Sequence, residues 1–180
     1  MPARDGRVKM GEKGKKSARG EARAMAQVQD VAAYILERLG PMSAMKLQKL
    51  CYFSYGYHLA WEERPLFPGC FEAWANGPVS PQLYAMHRGR FGLDPGDIEG
   101  DPKALDAGER ESIDLVIGAY GRFSAHQLSE LTHGEGPWLE ARRRAGAGPM
   151  DRSTEPLNEV DIFEYFDALT SADAVEREEA

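Results

Sequence analysis

Four histidines, two cysteines and a scatter of serines and carboxylates are the residues of this 180-residue chain that could do covalent or metal chemistry. A zinc site needs its ligands at close, regular spacing, such as two histidines four apart on one helix face. His58, His87, His126 and His133 never stand four apart, and no cysteine or carboxylate joins them in a zinc-ligand pattern. No metal and no cofactor is therefore expected. Nucleophilic catalysis needs a serine or cysteine fixed beside a base, and phosphate chemistry needs a glycine-rich cradle. The chain has no G-x-S-x-G elbow, no P-loop and no G-x-G-x-x-G, and Gly89-Arg90-Phe91-Gly92 reads as a plain loop. These observations predict a protein that is not an enzyme. Cys51 falls inside an apolar helical pattern and Cys70 follows a Pro-Gly turn, without a CxxC, which predicts free thiols and a cytoplasmic location.

Recognition is the chemistry left. Lys46, Gln48 and Lys49 are polar positions on a helix otherwise built for burial, so they form either its wet edge or a set of contacts for a partner. Trp74 and Asn76 flank a rigid Asn-Gly-Pro turn; a tryptophan there either fills the core or acts as an exposed binding anchor. His133 ends a helix, where an imidazolium interacts well with the C-terminal dipole. The run Arg142-Arg143-Arg144 ends a short helix that follows another across a Gly-containing turn, giving residues 124–144 the dimensions of a DNA-binding helix-turn-helix. A recognition helix reads bases mainly from its N-terminal part, and this one offers Pro137, Trp138 and Leu139 there, which disfavours nucleic acid.

Charge points the same way. Residues 1–24 hold eight basic and three acidic side chains, or +5, whereas the remainder holds 14 basic and 26 acidic, or −12. A body that acidic repels a phosphate backbone and favours a basic partner. The tail lacks an apolar period and is expected to stay disordered, with a start at Met25 or a nucleic-acid-binding arm as other readings of it. No stretch approaches the ~18 consecutive apolar residues of a membrane helix and the tail has no secretory h-region, so no membrane association is expected.

These positions need a scaffold, and the periodicity supplies one. Apolar residues at Val28, Val31, Ala32, Ile35, Leu36 and Leu39 predict a first helix that Gly40-Pro41 ends. Ser43 caps a second helix running to about Glu62, the central and most buried one. Residues 70–75 are expected to be a strand or extended run before an Asn76-Gly77-Pro78 turn. Ser80-Pro81 opens a short helix, and residues 89–105 form the longest loop. Capping boxes at Asp106/Glu109 and Ser124/Gln127 start two more helices, Pro137 a further one, and Asn158 a last helix whose apolar face ends at Leu169 before an acidic flexible tail. The fold class is mainly α: about six or seven helices over residues 25–169 with a small β element near 70–75.

Three stretches of this scaffold read together. They are Lys46-Leu47-Gln48-Lys49-Leu50-Cys51-Tyr52-Phe53 leading into Tyr57-His58-Leu59-Ala60, then Ala73-Trp74-Ala75-Asn76-Gly77-Pro78-Val79, then Leu128-Ser129-Glu130-Leu131-Thr132-His133 with Gly136-Pro137-Trp138. In order and spacing they resemble the SocA-like antitoxin family, the Panacea domain. The resemblance covers nearly all of residues 25–169 and departs from the family chiefly in the long basic tail. It implies an antitoxin that binds and neutralises a protein toxin encoded next door, with Lys46, Gln48, Lys49, Trp74, Asn76 and His133 as its toxin-facing residues. It also implies a proteolytic adaptor that delivers the toxin to the ClpXP protease, although direct inhibition is the mode implied by most relatives.

Overall fold

The computed structural model describes residues 10, 13, 24–134 and 136–178. Among them are seven α-helices and two small antiparallel sheets, a mainly α fold as expected. In chain order the elements are α1 (Val28–Leu39), β1 (Met42–Ser43), α2 (Ala44–Glu62), β2 (Glu72–Trp74), β3 (Gly77–Val79), α3 (Pro81–His87), β4 (Gly92–Leu93), a 3₁₀ turn (Pro102–Ala104), α4 (Ala107–Tyr120), α5 (Ala125–His133), α6 (Gly136–Arg144) and α7 (Glu159–Glu178).

The helix starts lie where the capping residues put them. Ser43, Ser80, Asp106 and Ser124 each accept a hydrogen bond from the backbone three residues on, and both predicted capping boxes are closed. Such caps satisfy amide groups that have no partner inside the helix. Asn158 does the same for α7 through Val160.

Helix α2 is the hub, packed by α1, α4, α5 and α7. Every residue from Leu47 to Leu59 is buried, which is why its apolar pattern runs all round the helix. Gly56 lets α7 approach: a Cβ there would lie 2.1 Å from Cε2 of Phe166, whose ring fills the space. Phe166 meets Tyr52, Phe53 and Tyr57 edge-on, with centroids 5.7, 6.2 and 4.9 Å away, and Phe53 stacks on Tyr120 at 4.6 Å. Edge-on and stacked pairs suit the ring quadrupoles, and each buried aromatic adds roughly 2–3 kcal/mol of hydrophobic stabilisation.

Three expectations change. Gly77 and Pro78 are not in the turn but in β3, paired with Trp74 and Ala73 of β2, so the turn lies at Ala75-Asn76. Pro78 fits because its partner Ala73 turns both backbone groups outward, accepting from Arg142 Nη1 and donating to the Glu155 carbonyl; that ladder position needs no N–H from β3. The 89–105 loop contains β4, which pairs with β1. Helix α7 does not stop at Leu169 but runs through the segment expected to be a flexible tail, since residues 170–178 contain alanines and acids but no glycine or proline.

Most of the basic tail lies outside the described residues. Within it, Met10 is buried and its amide donates to Asp173, while Lys13 Nζ donates to the Gly108 carbonyl at 2.7 Å and Ser112 Oγ at 2.8 Å and pairs with Glu62.

Candidate functional site

The polar positions of α2 are resolved by burial. Gln48 is 2% exposed and clamps Ser80 with its amide: Oε1 accepts from Ser80 N at 2.9 Å, and Nε2 donates to the Ser80 carbonyl at 3.2 Å and lies 3.0 Å from His87 Nε2. Lys49 is fully buried, its ammonium donating to the Pro78 carbonyl at 3.1 Å and lying 3.4 Å from Met45 Sδ. Desolvation pulls its pKa down to about 7. Lys46 Nζ donates to the Gly121 carbonyl at 2.6 Å and so ties the end of α4. For Gln48 and Lys49, wet edge and partner contact are both corrected: neither reaches the surface. Together they hold β3 and the start of α3 from beneath.

Above them the β2–β3 hairpin is built to be rigid. Gly77 has φ 109°, and a Cβ there would lie 2.6 Å from Thr132 Oγ1 and 2.7 Å from Lys49 Cε, so only glycine lets the strand sit this close to α2 and α5. Trp138 Nε1 donates to the Trp74 carbonyl at 2.8 Å, and Leu157 and Ala73 tie the hairpin's outer edge to the 155–157 segment. Trp74 is half-buried: its indole N–H donates to Glu72 at 2.7 Å and its ring meets Tyr84 edge-on at 4.8 Å. Asn76 is exposed at the turn.

Trp74 and Asn76 line a groove of about 400 Å³ together with Met45, Val79, Tyr84 and Arg152. A second depression, about 300 Å³, opens between His133, Trp138 and Arg142. His133 stands in the last turn of α5 as its position suggested, but its ring stacks on Trp138 at 4.5 Å and 12°, and desolvation lowers its pKa, which works against an imidazolium there. Its Nε2 is buried with no hydrogen-bond partner among the described residues.

Four of the six expected residues therefore converge on the hairpin: Trp74 and Asn76 on its surface, Lys49 under it, His133 at its flank. Gln48 supports the same strand at its end, and Lys46 lies apart. Sequence reasoning missed Tyr84, Met45 and Arg152. Arg152 stands in an unpatterned stretch between Pro149 and Pro156 that carries no periodic signal.

The hairpin and α5, with most of α2 and the start of α6, fall inside one span of sequence similarity. A sequence model of the family described as "Antitoxin SocA-like, Panacea domain" matches residues 47–139, half of the chain. The chain belongs to this family. Among curated proteins it is 36% identical over 114 residues to Antitoxin SocA of Caulobacter vibrioides (strain NA1000 / CB15N), covering 54% of this chain and 58% of that protein. The chain thus matches less than two thirds of that relative's length. No solved structure matches it.

In residues 124–144 the helix-turn-helix geometry loses its reading face. Pro137 and Trp138, at the N-terminal part of α6, are buried against the hairpin. Arg142 is buried, its guanidinium held by the carbonyls of Ala73, Gly148 and Asp151 and lying 5.0 Å over the Trp138 ring. Arg143 pairs with Glu140, and Arg144 with Glu155 and Asp161. Arg142 and Arg144 staple α6 to its surroundings, and Arg143 is exposed and paired within the helix.

One histidine–serine pair has a nucleophile-like arrangement. His58 Nδ1 lies 2.8 Å from Ser112 Oγ, with Lys13 Nζ on the same hydroxyl. Both residues are fully buried, and desolvation together with the Lys13 and Arg64 charges lowers the His58 pKa to about 3. A substrate has no route to that hydroxyl, so the pair's role is to join α2 to α4. Among the described residues no group of three His, Cys, Asp or Glu side chains is placed to hold a metal ion, and no helix is long and apolar enough to cross a membrane.

Proposed function

We propose that this protein neutralises a cognate protein toxin in the cytoplasm by binding it at the groove beside the β2–β3 hairpin, and then delivers it to ClpXP. Its chemistry is recognition, with no bond made or broken. The observation that carries the antitoxin reading is the family match over residues 47–139. The hairpin's construction supports the place. A rigid scaffold presents a half-buried tryptophan and an exposed amide at the rim of an apolar groove, the anatomy of a binding anchor. In this reading Trp74 and Asn76 touch the toxin, Lys49, Gln48 and Lys46 hold the scaffold, and His133 borders the second depression.

The test is to induce the neighbouring gene with and without this protein, in cells that have or lack ClpXP. Growth rescue that vanishes without the protease, with the neighbour's product accumulating, is the expected result. Rescue that persists without ClpXP contradicts delivery and leaves inhibition by binding; no toxicity from either neighbour contradicts the antitoxin reading.

A further inference from the structure

The cations around the hairpin are held by the protein itself. Arg142 is spent on three carbonyls, Arg144 on Glu155 and Asp161, and Lys49 on the Pro78 carbonyl. Arg152 differs. It is exposed on the rim of the 400 Å³ groove and has no carboxylate, carbonyl or ring partner among the described residues. The acids nearest it in sequence face elsewhere: Asp151 accepts from the Gly148 amide at 2.7 Å, and Glu155 pairs with Arg144. Glu72 accepts a hydrogen bond from the Trp74 indole N–H. Among the described residues, a chain whose residues beyond 24 sum to −12 thus offers a guanidinium without a partner at the edge of this groove.

The apolar part of the lining is formed by Met45, Ala75, Val79 and the edge-on Trp74–Tyr84 pair, and Ser153 and Thr154 line the groove with Arg152. The indole N–H is already used by Glu72, and the hydroxyls in the lining are those of Tyr84, Ser153 and Thr154. Asn76, exposed on the rim, has a side-chain amide with no partner among the described residues. A volume of this size takes two or three side chains, not a folded element. An unpaired arginine fork matches a carboxylate in two parallel hydrogen bonds, a local match within a surface that is acidic as a whole.

We infer that the groove takes a short toxin segment in which an aromatic or branched aliphatic side chain is flanked by a carboxylate. The apolar side chain enters the Met45–Val79–Trp74–Tyr84 wall, the carboxylate pairs with Arg152, and the Asn76 amide meets the segment's backbone. This deepens the antitoxin reading and rests on it for the identity of the partner. It also gives a selection rule, because a segment bearing lysine or arginine at the carboxylate position meets Arg152 and is rejected.

The test uses the full-length chain, the purified product of the neighbouring gene, and a displayed random-peptide library. Arg152→Glu should leave the melting temperature unchanged, since Arg152 holds no partner among the described residues. It should weaken binding of the neighbour's product roughly tenfold or more, largely in the association rate and less so at high salt, with Arg152→Lys in between. Peptides selected on the wild-type chain should share an acid next to an aromatic or aliphatic residue, and Arg152→Glu should not retain them. Equal binding of the neighbour's product by wild type and Arg152→Glu overturns this inference while leaving the antitoxin reading intact. If the wild type does not bind that product, the antitoxin reading fails, and the peptides decide: an acidic-aromatic consensus lost in Arg152→Glu sustains the groove's chemistry, and a basic consensus or none overturns it.

Discussion

The polar edge of α2 and the tip of the β2–β3 hairpin look alike as sequence, since each sets charged or amide side chains among aromatics. In the fold they are opposites. Gln48 and Lys49 are inside, each bonded to backbone about thirty residues away, whereas Asn76 and the rim of the Trp74 groove face solvent. The difference teaches that a polar residue within a motif can be retained for the strand it supports instead of the partner it meets. Damage to the first region should act through folding, and damage to the second through binding.

The sharpest way to break that division is at the point where the regions touch. Gly77→Ala places a methyl where Thr132 Oγ1 and Lys49 Cε already stand, at a φ that disfavours side chains. We expect a loss of roughly 3 kcal/mol or more in chemical denaturation, with binding falling in parallel. Next in size is Gln48→Ala, which strips the buried Ser80 amide of its partner and leaves the Ser80 carbonyl with the Tyr84 amide alone. It should cost about 2–3 kcal/mol, and at a temperature where the variant is fully folded its toxin affinity should match the wild type.

Lys49 sharpens the comparison through pH. Between the folded pKa of about 7 and the usual lysine value of 10.5, the unfolded chain binds more protons than the folded one, so the lysine's contribution to stability rises with pH across that window. Below pH 7 the ammonium is charged inside the fold and its desolvation penalty is fully present. Lys49→Met should therefore be more stable than wild type at pH 6, by roughly 2 kcal/mol, and lose that advantage as pH approaches 10. Denaturation midpoints at pH 6, 8 and 10 check it. The smallest effect on stability belongs to Asn76→Ala, within about 0.5 kcal/mol of wild type, with toxin affinity reduced several-fold.

Much of the frame was legible because caps are local. Ser43, Ser80, the Asp106/Glu109 and Ser124/Gln127 pairs and Asn158 declare helix starts within four residues of sequence. The hairpin was half legible. A strand at 72–74 follows from its composition, but Pro78 within β3 is tolerated only because Ala73 turns to Arg142 and Glu155, partners 69 and 82 positions downstream. The same reach hid the fate of the α6 arginines and of Gln48 and Lys49, whose acceptors belong to other elements. Arg152 had no signal: it is a site residue by virtue of what does not pair with it, and that is visible only once the fold is complete.

The central claim, that recognition lies at the hairpin groove and not at the buried motif beneath it, is tested most directly by hydrogen exchange on the full-length chain with and without the purified toxin. The account predicts slowed exchange at 74–79 and 151–155 on binding, with α2 already protected in the free protein and unchanged. Slowing confined to other surfaces, such as the α3–β4 loop or α7, with 74–79 and 151–155 unaffected, would contradict it.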